Sequence, residues 1–255
     1  MKTNFLLNKL SKRFPKRLAK IYHDFVGKMT GNKPEEVNKI LLCLDLDWEI
    51  LPMVKEIMPD LIITHHPFIF GTKYRVFKRD LSKKELCKEI DELGIPVYSF
   101  HTNFDAGKDG MNDSLTLQLG LQDIYTPEKE PSMRIGILKE EMNVADFAKM
   151  AKIALNVDYS LLIDAGNPTV KKVGIIGGGG SRMWNIAKEE GCDIYISGDA
   201  PHHVRREIVN QKFNYLDMPH EIEKIFMPTM KKIISELDPN IEIIEIDHEK
   251  LPKVI

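Results

Sequence analysis

Short apolar runs alternate with helical segments along this chain. The runs Lys39–Asp45 and Asp60–Thr64 are apolar nearly throughout, rather than at every second residue. Strands with that pattern are buried on both faces, which is typical of parallel sheets covered by helices. Helical segments at 48–58 and 81–93 precede further strands, the second of them Ile95–Phe100. The alternation predicts an α/β protein built from mainly parallel sheets flanked by helices.

The pattern starts again after a turn at Thr126–Pro131. A strand at Arg134–Leu138 is followed by a helix that Asn143 caps, and further strands and helices follow. We therefore expect two α/β domains, 1–125 and 126–255. The last strand, Ile241–Ile246, is free in this scheme to rejoin the first sheet.

Composition limits the classes of partner. The net charge of −2 gives no clear indication of nucleic-acid binding, and no apolar run reaches the length of about 18 residues that a membrane span needs. The three cysteines stand far apart without a C-x-x-C pair, so we interpret them as buried thiols of a cytoplasmic protein. Residues 1–32 carry eight Lys and Arg against Asp24 alone. A solvated helix face explains this basic stretch at least as well as a binding patch does.

Histidines are the most informative side chains. Six of the eight fall in four clusters, and three of these clusters directly follow a predicted strand. Open α/β sheets bind ligands at the carboxyl ends of their strands. His65 and His66 end one strand before a proline, where neighbouring imidazoles can serve two nearby metal ions. Hydrogen-bonded histidines that cap the strand are the alternative.

Carboxylates accompany two of these clusters. Asp105 follows His101 and can bind a cation or cap the turn before Gly107. His220 and Glu223 are three residues apart on a predicted helix and share a face, unlike Glu221. An acidic first turn favoured by the helix dipole explains either glutamate equally well.

Two loops leave alternatives open. The run of four glycines at 177–180 lies between a strand and a helix, where backbone N–H groups can bind an anion, although a flexible turn is slightly favoured. Asp199, with His202 and His203, follows another strand. These groups are candidates for outer-shell or substrate contacts, and a turn with surface histidines is about as plausible.

Taken in order, these motifs resemble the NIF-three-like dinuclear-metal-centre family, also labelled GTP cyclohydrolase I type 2. The resemblance rests on five segments: Ile62–Phe70, Ser99–Asp105, Val173–Ser181, Tyr195–Asp199 and Asp217–Glu223. It implies two α/β domains, a ring-shaped homohexamer and five metal ligands, which are His65, His66, Asp105, His220 and Glu223. The chain departs from the family where Pro219 replaces the usual glycine, and where Ala-Pro-His-His replaces a more basic run.

Five side chains do not saturate two ions, so open positions remain for water or substrate. We therefore expect two divalent ions, Zn, Fe or Mn, in a metal-dependent hydrolase similar to GTP cyclohydrolase I type 2. Its metal-bound water would attack an anionic, nucleotide-like or phosphorylated substrate. His101 and His203 are the candidate catalytic residues, and Lys73 and Arg75 the candidate substrate-binding residues. A non-catalytic metal-binding hexamer, acting in assembly or regulation through protein partners, is the alternative.

Overall fold

A computed structural model describes residues 1–253 as two compact units, each with its own sheet. The strands within this range are β1 (Gly27–Thr30), β2 (Lys39–Cys43), β3 (Leu61–Thr64), β4 (Val97–Ser99), β5 (Gln122–Tyr125), β6 (Arg134–Asn143), β7 (Leu161–Asp164), β8 (Thr169–Ile175), β9 (Ile194–Ser197), β10 (Asn214–Asp217) and β11 (Glu242–Glu245). The α-helices are α1 (Thr3–Arg13), α2 (Lys16–Lys20), α3 (Leu51–Ile57), α4 (Lys73–Arg79), α5 (Leu81–Glu92), α6 (Thr102–Asp105), α7 (Met111–Gln118), α8 (Val144–Ala154), α9 (Trp184–Glu189), α10 (His202–Asn210) and α11 (Phe226–Leu237).

The first unit comprises Met1–Lys108 and Phe226–Glu249. Its sheet has the strand order β1-β4-β3-β2-β11. All neighbouring pairs are parallel except β1 with β4. All four residues of β3 are buried, as are the last four of β2, because helices cover this parallel sheet.

The second unit comprises Asp109–Ile225 and residues 250–253. Its sheet has the strand order β5-β6-β8-β9-β10-β7. Strands β8, β9 and β10 are parallel, whereas the pairs β5–β6, β6–β8 and β10–β7 are antiparallel. The connection from β5 to β6 is too short for the crossover that a parallel pair requires. The α/β class predicted from the sequence is confirmed, and the second sheet is mixed.

The basic N-terminal stretch forms two helices, α1 and α2, which are separated at Pro15. The candidate substrate-binding residues Lys73 and Arg75 lie on helix α4, where Thr72 Oγ1 accepts a capping hydrogen bond from Arg75 N. The segment from His220 begins as a 3₁₀ helix, His220–Ile225, before α11. Pro228 explains this start, because proline cannot donate to the carbonyl four residues earlier and its ring clashes with it.

The last strand belongs to the first unit, where β11 pairs in parallel with β2. The domain boundary expected between residues 125 and 126 stays a prediction. Within the described residues, none of the helices is both long and apolar enough to cross a bilayer.

Candidate metal centre

In the first unit, three histidines gather at the carboxyl ends of two neighbouring parallel strands. His65 and His66 directly follow β3, and His101 comes two residues after β4. A hydrogen bond of 2.7 Å between Thr64 Oγ1 and Ser99 Oγ joins the two strand ends. Parallel neighbours end at the same edge of a sheet, which is why residues 35 positions apart along the chain meet here.

Imidazole nitrogens of His65, His66 and His101 lie within 4.8 Å of one another, close enough to hold one metal ion. Asp105, the last residue of α6, brings its Oδ1 to 3.6 Å from His65 Nε2. The ring of His65 is fully buried. The structure therefore brings together three of the predicted site residues with His101, whose position makes it a further candidate ligand.

The Nδ1 atom of each of these rings has a hydrogen-bond acceptor behind it. The pairs are His65 with the carbonyl of Phe100 at 2.9 Å, His66 with Asp45 Oδ2 at 2.7 Å, and His101 with Asp24 Oδ2 at 2.7 Å. A carbonyl can only accept, so the proton of neutral His65 must be on Nδ1 and the lone pair on Nε2. Metal-ligating histidines usually carry such a partner, which fixes the tautomer and the ring orientation.

The two acidic partners are charged groups. Burial alone would raise the pKa of Asp45, but the hydrogen bond and the electrostatic interaction with His66 outweigh it and lower that pKa. Burial likewise opposes ionisation of Asp24, and hydrogen bonds from His101 and Thr102 bring its pKa below the ordinary value. Each carboxylate therefore makes the imidazole in front of it a stronger electron donor.

The second unit holds its own histidine–carboxylate group. His220 and Glu223 stand one turn apart on the 3₁₀ helix after β10, with His220 Nε2 3.1 Å from Glu223 Oε2. Residues i and i+3 eclipse in a 3₁₀ helix, which accounts for this closeness. His220 Nδ1 lies 2.6 Å from Asp199 Oδ2. Burial would lower the pKa of His220, but Glu223 and Asp199 together raise it to about 9.

The glycine-rich run passes directly beside this group. Gly178 has a φ of +64°, and a Cβ placed there would lie 2.7 Å from the carboxyl carbon of Glu223 and 3.2 Å from His220 Nε2. The Gly178 carbonyl accepts hydrogen bonds from Gly180 N, Gly198 N and Ser197 Oγ. These bonds hold the backbone in place. The absence of a side chain at Gly178 therefore leaves the space that the Glu223 carboxylate occupies. Neither interpretation drawn from the sequence, an anion loop or a flexible turn, included this close approach.

Three other candidate residues lie outside these two groups. Lys73, at the start of α4, donates to Thr30 Oγ1 at 3.0 Å, and Arg75 is exposed on the same helix. His203 is exposed in the first turn of α10, and within residues 1–253 its ring makes no hydrogen bond or ion pair. Their predicted roles in substrate binding and catalysis stay predictions.

Two residues of the site were missed from the sequence. Asp45 lies at the end of the same apolar run as β2, so its strand-end position was an available signal. Asp24 is the single acid of the basic N-terminal stretch, and that isolation was a weaker signal. Neither signal reveals which histidine the carboxylate faces.

The chain matches the family Duf34/NIF3 (NGG1p interacting factor 3) over residues 1–252. The chain belongs to this family. A GTP cyclohydrolase 1 type 2 homolog of Clostridium perfringens is 30% identical over 99% of this chain and 98% of its own length. A homolog of the same name from Lactococcus lactis is 29% identical with the same coverage. The crystal structure of a Bacillus cereus protein related to NIF3 superposes with a TM-score of 0.86 at 20% identity, covering 100% of this chain and 99% of that one.

The donor atoms of these groups could hold divalent metal ions. Imidazole nitrogen and carboxylate oxygen suit zinc, iron and manganese, whereas softer ions prefer sulfur. The free cysteines Cys43, Cys87 and Cys192 are all buried, and none belongs to either group. The chemistry of the donors, together with the fixed Nδ1 atoms, therefore supports cation binding in both units.

Proposed function

We propose that this chain is a metal-dependent hydrolase that binds two divalent ions, with His65, His66, Asp105, His220 and Glu223 as ligands. One observation carries the proposal: the imidazoles that converge at the ends of β3 and β4 are each held by a hydrogen bond at Nδ1. Nε2, through its lone pair, is then the ligand atom that each ring offers to a cation. Metal-ligating histidines usually carry such a partner, and histidines that only cap a strand would not need to converge within 4.8 Å of one another.

The side chains of the first unit have different proposed roles. His65 and His66 hold the cation, and Asp105 adds a negative charge that offsets part of the cationic charge. When bound, divalent cations would supply Lewis acidity and an acidified water molecule, which is the chemistry that hydrolysis requires. His101, hydrogen-bonded to Asp24, is placed to hold or move a proton at its Nε2.

The proposed substrate is a small anion, of a nucleotide-like or phosphorylated kind. Relatives that match nearly the whole chain carry the name GTP cyclohydrolase 1 type 2 homolog, which favours that class. Lys73 and Arg75 are proposed to attract it, and His203 to assist proton transfer. We further propose a cytoplasmic homohexamer: buried free thiols suit a reducing compartment, and exposed apolar side chains such as Ile153 and Tyr74 suit subunit contacts.

The test combines metal analysis with turnover. Protein purified without chelator should contain divalent metal, and the double variant His65→Ala/His66→Ala should lose most of it. Because the variant loses the buried ring of His65, its circular dichroism is recorded to show that the chain is still folded. A panel of phosphoesters and nucleotides should show turnover that requires metal and disappears in the double variant. Unchanged metal content in the variant would refute the ligand assignment. Metal binding without turnover of any compound would instead favour the regulatory alternative.

A further inference from the structure

The first unit contains a cleft of about 320 Å³ beside its histidine group. The cleft is lined by residues from α2, the following turn, β1 and the start of α4, which include Lys16, Lys20, Asp24, Phe25, Lys28 and Lys73. Its size lies in the range of small-molecule sites. The basic N-terminal stretch, which the sequence left as a solvated face or a binding patch, thus contributes three lysines to one cleft.

The charge inside this cleft is unbalanced. Lys16 and Lys20 are four residues apart on α2, a spacing at which like charges repel and destabilise the helix. Within residues 1–253, neither they nor Lys28 form an ion pair. The acid that lines the cleft, Asp24, is engaged by hydrogen bonds from His101 and Thr102. Three lysines therefore have no counter-charge of their own, and a bound anion would relieve their repulsion.

The shape of the backbone lets the cations approach closely. Gly27 has a φ of +96°, and a Cβ there would lie 2.5 Å from both Cε and Nζ of Lys16. The side chain of Lys16 therefore passes close to the backbone at Gly27, although it remains exposed to solvent. Phe25 provides an apolar wall and packs edge-on against Phe70, with ring centroids 6.0 Å apart. Cations thus line an open cleft that has one hydrophobic side.

We propose that this cleft binds the phosphate chain of a small ligand that carries two or more phosphate groups, through Lys16, Lys20 and Lys28. Several compact cations suit such a chain, because lysine binds phosphate as a point charge. Asp24 joins the cleft to the histidine group, since the carboxylate that lines the cleft also bonds His101 Nδ1. The inference deepens the proposed function because it locates the phosphate groups of the proposed substrate. It rests on that function for the reaction, but the binding itself does not depend on it.

A nucleic-acid strand is a poorer fit to the same lysines. A backbone-tracking protein presents a continuous positive groove, whereas these lysines line a bounded cleft on a chain of net charge −2. The proposal therefore commits to a small phosphorylated ligand. Preference for an oligonucleotide would count against it.

The test is isothermal titration of the full-length protein with inorganic tripolyphosphate, ATP and a 20-nucleotide single strand, in buffers with and without EDTA. The variant Lys16→Gln/Lys20→Gln removes two charges from the cleft. Lys12→Gln/Arg17→Gln removes two charges from the same pair of helices outside it. We expect the first variant to weaken tripolyphosphate and ATP binding by at least about tenfold, or 1.4 kcal/mol. The second variant should change either constant less than about twofold, because screened charges outside the cleft contribute little.

Three other outcomes would overturn the inference, and a fourth would overturn the proposed function instead. Equal losses in the two variants would mean non-specific attraction, and tighter binding of the oligonucleotide would mean a nucleic-acid surface. Binding that vanishes in EDTA and ignores the lysine variant would place the anion on the metal ions, leaving the proposed function intact. Lysine-dependent binding by protein that contains no metal when purified without chelator would have the opposite meaning: the cleft would stand and the metal-dependent hydrolase would fail.

Discussion

Replacing Gly178 by alanine tests whether a glycine is needed at this position to make room for the Glu223 carboxylate. The new Cβ would stand 2.7 Å from the carboxyl carbon of Glu223, with Oε1 still closer, whereas ordinary contacts begin at 3.4 Å. The Gly178 carbonyl is held by three hydrogen bonds, so the carboxylate rather than the backbone must give way. The required movement is at least about 0.7 Å, because Oε1 lies closer than the carbon, and it exceeds the tolerance of roughly 0.2 Å that metal–ligand distances allow.

We expect Gly178→Ala to lower metal affinity by about 10–100-fold, the range seen when ligand orientation is disturbed. The variant should also lose about 1–2 kcal/mol of stability, because alanine is strained at a positive φ. Competition with a chromophoric chelator measures the first effect. Thermal unfolding in EDTA measures the second without any contribution from metal.

Gly191→Ala is the matched control for this substitution. Gly191 has a φ of +76°, but a Cβ there would meet no atom within 4 Å. The control should therefore show the same loss of stability with unchanged metal affinity. The reasoning fails if Gly178→Ala binds metal as tightly as the wild type, or if Gly191→Ala weakens metal binding as much.

Two further predictions concern single side chains. Glu223→Gln should lower the metal content per chain, measured by mass spectrometry, whereas Glu221→Gln should not, because Glu221 is turned about 120° away on a 3₁₀ helix; equal losses would contradict this geometry. Burial raises the pKa of Cys192 to about 12 despite the opposing charge of Lys172, so at pH 8 roughly one molecule in ten thousand carries the reactive thiolate. Native protein should resist iodoacetamide at Cys192 until denaturant is added, and rapid labelling of the native chain would show that this thiol is accessible.

Elements with strong local signals were predictable from the sequence. The apolar runs at β2 and β3 indicated buried parallel strands because neither face of such a run tolerates water. Strand β10 was missed, since its sequence Asn-Tyr-Leu-Asp offers only two apolar residues although all four are buried. Asn214 is accommodated there because its amide donates to the carbonyls of Asn167 and Asp193. A strand of this kind depends on distant partners, which local patterns do not report.

Within the candidate site, pairs that are close in sequence were likewise predictable, whereas distant pairs were not. Adjacent residues and residues three apart, as in His65-His66 and His220 with Glu223, can be paired from spacing alone. The contact of His101 with Asp24 spans 77 positions, and only the folded sheet creates it. The 3₁₀ geometry at His220 was likewise hidden, because an α-helix and a 3₁₀ helix both bring residues three apart onto one side.

The pairing of β11 with β2 has a consequence for the order in which the chain matures on the ribosome. Strand β2 emerges early, yet its outer edge is covered only when Glu242–Glu245 has been synthesised. At about 5–20 residues per second, the intervening segment takes on the order of 10–40 s to make. Throughout that interval the nascent chain presents an apolar strand with a bare edge, the feature that folded sheets normally protect against intermolecular pairing. This period of exposure therefore ends only when β11 has been synthesised and pairs with β2.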